Sequence, residues 1–191
     1  MMSRWFIFTA AALSGAPMIL HGAENGQNDR RSSNTIEQLL KVDVPVVLCI
    51  DDKPTAGGQP SGQAYAKAAA SGYRSILTLR TKKDGVDLLR ERSMVEQQKM
   101  RYFNIPVAAS APNIGQADEF LALVRDKANH PMLINCAFAE RVVPLMMIFR
   151  IVEQGWSKEK ALEEATRTGL SKEPLKKFAE SYLAQRKSKP K

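Results

Sequence analysis

Cysteine and histidine are scarce in this chain of 191 residues, which contains two of each. A zinc site built from these residue types needs about four ligands, so the scarcity excludes such a site. We predict neither a metal nor a cofactor. A disulfide framework is excluded as well, because at most one bridge, between Cys49 and Cys136, could form. A Ser-His-Asp triad would have to use His130, which has no nucleophile motif near it.

The N-terminal segment carries one positive charge, at Arg4, followed by an apolar run of 16 residues from Trp5 to Leu20 and a small-residue ending at Ala23. This order is typical of a secretory signal. We therefore predict a signal peptide over residues 1–23, cleaved near Ala23, and an exported protein that is periplasmic or secreted. The run is shorter than the roughly 20 residues that span a bilayer. No stable membrane span is expected after cleavage, and an uncleaved N-terminal anchor is the alternative.

The chain carries 28 Lys and Arg against 20 Asp and Glu, a formal net charge of +8. Part of the excess lies in a basic tail at residues 188–191, which favours anionic surfaces or substrates. No nucleic-acid motif accompanies this charge, so we predict no nucleic-acid binding. Residues 24–41 are largely polar and are predicted to form a flexible linker. The sequence makes no prediction of the oligomeric state.

Hydrophobic patterning predicts strands over residues 46–50, 75–80, 102–107 and 132–136, alternating with helices. Residues 53–61 contain two prolines and two glycines and are predicted to be a loop. Residues 142–154 are apolar almost all round, which is typical of a central, buried helix. Two further helices complete the chain. The pattern predicts an α/β fold with a small, largely parallel sheet flanked by helices and a C-terminal helical layer.

Cys136 ends the last predicted strand, and Arg141 opens the buried helix after four intervening residues. Free N–H groups of such a loop and of the helix N-terminus converge on one point and form an anion site. The same dipole stabilises a thiolate, and the planar fork of Arg141 can hold two oxygens of a tetrahedral anion. A buried, inert cysteine at a strand end is the alternative.

Three segments carry a resemblance to a known family: residues 58–61 (GQPS), residues 72–80 (GYRSILTLR), and residues 136–141 with 153–157 (EQGWS). They resemble the bacterial tyrosine-phosphatase-like family related to dual-specificity phosphatases, which includes β-lactamase-hydrolase-like members. The resemblance implies a dual-specificity-phosphatase-like domain over residues 42–187.

The same resemblance implies functional roles and a substrate. Cys136 corresponds to the nucleophile and Arg141 to the phosphate-binding arginine, and the expected substrate is a phosphorylated protein or a small anionic phosphoester. The residues expected to contact that substrate surround Arg141 in the sequence: Ala137, Phe138, Ala139, Glu140 and Val142.

The sequence departs from the family pattern around this motif. Asn135 stands where the family usually has His, and the Cys-x4-Arg spacing is one residue shorter than usual. Glu140 would repel a dianion if it pointed inward. The loop after residues 102–107 reads Ala108, Ala109 and Ser110, where a general-acid Asp is expected. The other carboxylates considered for that role are Asp84, Asp87 and Asp118.

Two other functions therefore remain open. A degenerate member would bind an anion or a partner without turnover, as the missing acid favours. Rhodanese-like sulfur transfer would pass through a Cys136 persulfide, as the short loop favours. Cys49 is a possible redox partner of Cys136, provided that their Cα atoms lie within about 7 Å. A buried strand residue is the alternative for Cys49.

Overall fold

The computed structural model describes residues 47–50, 53–56 and 58–188. In chain order its strands are β1 (Val47–Ile50), β2 (Lys53–Ala56), β3 (Ser75–Thr78), β4 (Arg101–Asn104) and β5 (Met132–Asn135). Its helices are α1 (Gly62–Ala70), α2 (Leu88–Gln97), α3 (Ile114–Arg125), α4 (Val142–Val152), α5 (Lys158–Arg167) and α6 (Glu173–Ser188).

The central sheet has the order β4-β3-β5, and both outer strands run parallel to β3. Ile76 of β3 lies opposite Tyr102 of β4 and Leu133 of β5. Each connection between these strands includes a helix, as parallel pairing requires. The predicted α/β class with a parallel sheet is confirmed.

The predicted loop over residues 53–61 is wrong in its first part. Strand β2 pairs antiparallel with β1, with Ile50 opposite Lys53 and Cys49 opposite Pro54. A proline is tolerated because the two strands form a sheet of their own, so its missing N–H can lie on an unpaired edge. The strand was missed because proline and glycine were taken as loop signals.

Apolar side chains fill both faces of the central sheet. Ile76 and Leu133 pack on one side against α1 and α2, while Leu77 and Ile134 pack on the other against α3 and α4. Every residue of α4 from Val142 to Arg150 is buried, as its almost entirely apolar sequence predicted. Helices α5 and α6 pack against α4 and form the C-terminal helical layer.

Short polar side chains begin several helices. Ser61 accepts a hydrogen bond from the Ala64 N–H, Asn113 from the Gly115 N–H and Ser157 from the Lys160 N–H. Such caps satisfy backbone donors that have no partner inside the helix. Among the described residues, no helix combines the length and apolar character needed to cross a membrane.

Candidate active site

The loop between β5 and α4 begins with Cys136, at the carboxyl edge of the sheet. Strand β5 ends at Asn135, and Cys136 is completely buried. The chain then turns through Ala139, whose φ of 64° lies in the left-handed region. That conformation costs roughly 1–2 kcal/mol for a residue with a side chain. A backbone bridge between Phe138 and Gly58 helps to hold the loop in place.

Arg141 closes the loop, and only 3% of it is exposed. Its Nη1 and Nη2 atoms donate to the two carboxylate oxygens of Asp84, each at 2.9 Å. Nη1 also donates to the carbonyl oxygen of Val107 at 3.1 Å. The guanidinium is therefore tied to the segments that follow β3 and β4, across the carboxyl edge of the sheet.

Asp84 is itself held in a fixed orientation. Its Oδ2 accepts hydrogen bonds from the Thr81 backbone N–H at 2.6 Å and from the Thr81 hydroxyl at 2.8 Å. The hydrogen bond from Arg141 holds the pKa of this carboxyl well below its ordinary value, and the bonds from Thr81 act in the same direction. Asp84 is thus ionised at neutral pH and has no proton to give to a leaving group.

Arg141 and Cys136 interact directly. Burial lowers the pKa of Arg141, but the hydrogen bond to Asp84 and the charge interaction with Cys136 raise it, and the net direction is upward. The guanidinium stays protonated beside the sulfur. Within the described residues, the buried Nε of Arg141 makes no hydrogen bond. Asp84 occupies the end of the fork formed by the two Nη atoms, and Cys136 is a further hydrogen-bond partner of the guanidinium.

An open cavity of about 620 Å³ lies over this loop. Glu140 at its rim pairs with Lys172, which precedes α6, at 2.6 Å. The negative charge of Glu140 is therefore balanced by Lys172, a residue that sequence reasoning did not single out. The lining residues are Thr81, Lys83, Asp84, Ala108, Ala109, Ser110, Ala137, Phe138, Glu140, Arg141, Lys172, Glu173 and Pro174.

The predicted substrate-contacting residues fall into two groups. Ala137, Phe138 and Glu140 line the cavity together with Arg141. Ala139 and Val142 are buried instead, and the Val142 N–H donates to the Ala139 carbonyl oxygen at 2.8 Å. The Val142 N–H is therefore hydrogen-bonded within the loop itself. The side chain of Cys49 lies outside the described residues.

The other carboxylates considered as acids lie elsewhere. Asp87 accepts hydrogen bonds from the N–H groups of Leu89 and Arg90 and caps α2. Asp118 accepts a hydrogen bond from the Tyr182 hydroxyl at 2.7 Å. Ala108, Ala109 and Ser110 line the cavity, and none of them has a carboxyl group.

A buried polar network around Glu91 lies beside the site, on the α1–α2 side of the sheet. Glu91 is 1% exposed and accepts a hydrogen bond from the Tyr65 hydroxyl at 2.9 Å. Burial raises the pKa of Glu91, and its polar neighbours offset part of that shift. Sequence reasoning missed Glu91, since a glutamate in a helix ordinarily faces water. The groups that face it are Gln59, Tyr65, Arg80, Tyr102 and Asn135.

Arg80 joins this network to the segment that carries Asp84. Its Nη1 donates to Oε1 of Gln59, and its Nη2 donates to the carbonyl oxygen of Asp84 at 2.9 Å. Asn135 donates to the Thr78 hydroxyl at 3.4 Å. Asn135, which stands where the resemblance implies a histidine, therefore contacts β3. Among the described residues, no group of three or more His, Cys, Asp and Glu side chains could hold a metal ion.

Solved structures share this fold at low sequence identity. A DUF442 protein from Shewanella putrefaciens CN-32 matches with a TM-score of 0.61 and 15% identity, over 73% of this chain and 89% of that one. The catalytic domain of the PP-IP phosphatase SIW14 from S. cerevisiae, in complex with citrate, matches with a TM-score of 0.57 and 18% identity, over 69% and 83%. TpbA from P. aeruginosa, in complex with pTyr, matches with a TM-score of 0.53 and 19% identity, over 72% and 87%.

A comparison with curated protein sequences finds no match. A family model does match, over residues 51–184, and its description is "DSP-PTPase phosphatase fused to NAD+ Kinase". The matched segment covers more than half of the chain and contains the whole β5–loop–α4 unit. The resemblance to dual-specificity phosphatases is therefore confirmed, and the chain belongs to this DSP-PTPase family.

Proposed function

We propose that this chain is an exported, cysteine-dependent phosphatase that hydrolyses phosphate monoesters, either phosphotyrosine or small phosphoesters. One observation carries the proposal: the protonated guanidinium of Arg141 is buried beside Cys136 at the start of α4 and is held there by Asp84. An anion that enters the cavity would meet the fixed positive charge of Arg141. The buried sulfur of Cys136 lies beside that guanidinium but is not among the residues that line the cavity. The family assignment and the pTyr complex of a structural relative support this substrate class.

The proposed chemistry has two steps. The Cys136 thiolate attacks phosphorus, an S–P bond forms, and the ester P–O bond breaks with its electron pair going to the leaving oxygen. Water then attacks phosphorus, releasing inorganic phosphate and the thiolate. The Nε–Nη2 edge of Arg141 would hold two phosphate oxygens, because Asp84 occupies the other end of the fork.

Protonation of the leaving oxygen is the weak point of this site. Ala108, Ala109 and Ser110 offer no carboxyl group, and Asp84 is ionised. The loss of a general acid typically costs about 10²–10⁴ in rate. The proton must then come from water. Esters whose leaving oxygen is a weak base, such as phenyl esters, should therefore react much faster than alkyl esters.

A second candidate is a protein that binds an anion or a partner without turnover. It is favoured by the pairing of Asp84 with Arg141, which offsets the one buried positive charge of the cavity. In this case Cys136 would support the loop by packing alone.

An assay of the reduced full-length chain separates these functions. Nitrophenyl phosphate turnover that is lost in Cys136→Ser supports the phosphatase. Sulfur transfer from thiosulfate to cyanide that is lost in the same variant would support a persulfide mechanism. If neither assay shows activity but calorimetry still shows binding of inorganic phosphate, the result supports binding without turnover and refutes hydrolysis. Asp87→Ala is a matched control, because Asp87 caps α2 and is not among the residues that line the cavity.

A further inference from the structure

Phe138 is an aromatic side chain exposed to water at the mouth of the cavity. It is 72% exposed, and only Leu89 and Leu162 are other exposed large apolar residues among the described part of the chain. A large apolar side chain in water forgoes the stabilisation that burial would give. Its position in the loop that contains Cys136 and Arg141 therefore calls for a functional explanation.

The backbone around Phe138 is held in place. Phe138 pairs with Gly58 through an antiparallel bridge, and the next residue, Ala139, is buried in a left-handed conformation. The ring consequently projects from an ordered loop, and a ligand would pay little entropy to order the backbone that carries it.

The cavity wall offers a ligand apolar contact in addition to charge. Ala108, Ala109, Ala137 and Pro174 line it together with Phe138. At the rim, Glu140 and Lys172 neutralise each other. Thr81, Lys83, Ser110 and Glu173 also line the cavity, so apolar contact acts there beside these polar groups.

We propose that Phe138 determines specificity by packing against the aromatic ring of an aryl phosphate whose anion is held by Arg141. The inference rests on the proposed function for its anion site. Offset or edge-to-face contact between two rings would give aryl esters an advantage over alkyl esters of equal charge. The preference is separate from leaving-group chemistry, because it concerns binding.

Binding of two phosphonates tests this without turnover. Phenylphosphonate and methylphosphonate carry the same charged group, and neither contains an ester bond to hydrolyse. Calorimetry on the reduced full-length chain should show tighter binding of phenylphosphonate. In Phe138→Ala the advantage of phenylphosphonate should fall by about threefold to tenfold, as expected for one aromatic pair. Methylphosphonate affinity should stay unchanged.

Two further variants complete the test. Phe138→Tyr keeps a ring and should keep the preference. Leu89→Ala removes an exposed apolar side chain that is not among the lining residues, and it should change neither affinity. An unchanged melting temperature in Phe138→Ala would show that the fold is intact, as expected for an exposed side chain.

The outcomes separate this inference from the proposed function. A phenyl preference that persists in Phe138→Ala overturns the role of Phe138, even if aryl phosphates are hydrolysed. A preference that depends on Phe138 without any turnover supports the role of Phe138 and refutes hydrolysis. Absence of binding by both phosphonates overturns the inference.

Discussion

Removal of the Asp84 carboxylate should destabilise the protein, because it would leave the charge of Arg141 buried without its partner. The side chain of Arg141 is 4% exposed and that of Asp84 is 20% exposed. Removing one partner of a buried ion pair typically costs about 3–5 kcal/mol. We expect Asp84→Ala to lie at the lower end, about 3 kcal/mol, because Arg141 keeps its hydrogen bond to Val107 and Asp84 is partly hydrated.

Asp84→Asn should cost less than Asp84→Ala, since an amide oxygen can still accept from one Nη atom of Arg141. Urea unfolding at pH 7 gives both free energies directly. Asp87→Ala is the control, and the loss of this exposed helix cap should cost about 1 kcal/mol. A loss below about 0.5 kcal/mol in Asp84→Ala, which is the size of an ordinary surface substitution, would refute the reasoning.

The pH dependence provides a second test of the same pair. The pKa of Asp84 is lowered in the folded state, so its contribution to stability is complete above the unfolded pKa of about 3.9. It is lost as the pH falls through the folded pKa. The difference in unfolding free energy between the wild type and Asp84→Asn should therefore shrink below about pH 4. A difference that stays constant down to pH 2 would contradict the assignment.

The remaining predictions concern the buried Glu91, Glu140 at the rim of the cavity, and cleavage of the N-terminal segment. Because the folded pKa of Glu91 is raised, its contribution is present at low pH and falls as the pH rises through that pKa. Glu91→Gln should therefore gain stability relative to the wild type as the pH rises above the ordinary glutamate pKa of about 4.3 in urea unfolding, and a constant difference would contradict this. Glu140→Gln frees Lys172 and should tighten phosphate binding about twofold to fivefold in low salt but not in 1 M salt. An unchanged phosphate affinity of Glu140→Gln in low salt would contradict this prediction. Intact mass after expression in a bacterial host should give an N-terminus at Glu24, and an uncleaved chain would refute cleavage near Ala23.

Local patterns predicted most of the fold. The apolar runs of the strands and the almost entirely apolar sequence of α4 are patterns formed by neighbouring residues. Strand β2 was missed because its proline and the two glycines that follow it are local loop signals, whereas its pairing with β1 depends on another segment. The strand predicted over residues 102–107 ends earlier, at Asn104.

The candidate site, like the fold, was predicted only where its residues are neighbours in the sequence. The strand–Cys136–loop–Arg141–helix order is contiguous, so the sequence alone determined that a sulfur and a guanidinium lie at one helix N-terminus. The tertiary structure decided what surrounds them: Asp84, 57 residues from Arg141, and Lys172 on the segment before α6. Parallel strands bring their carboxyl ends to one edge of a sheet, and residues distant in the chain meet there. Sequence spacing does not encode which side chains make those contacts, because packing and charge pairing select them only once the sheet has formed.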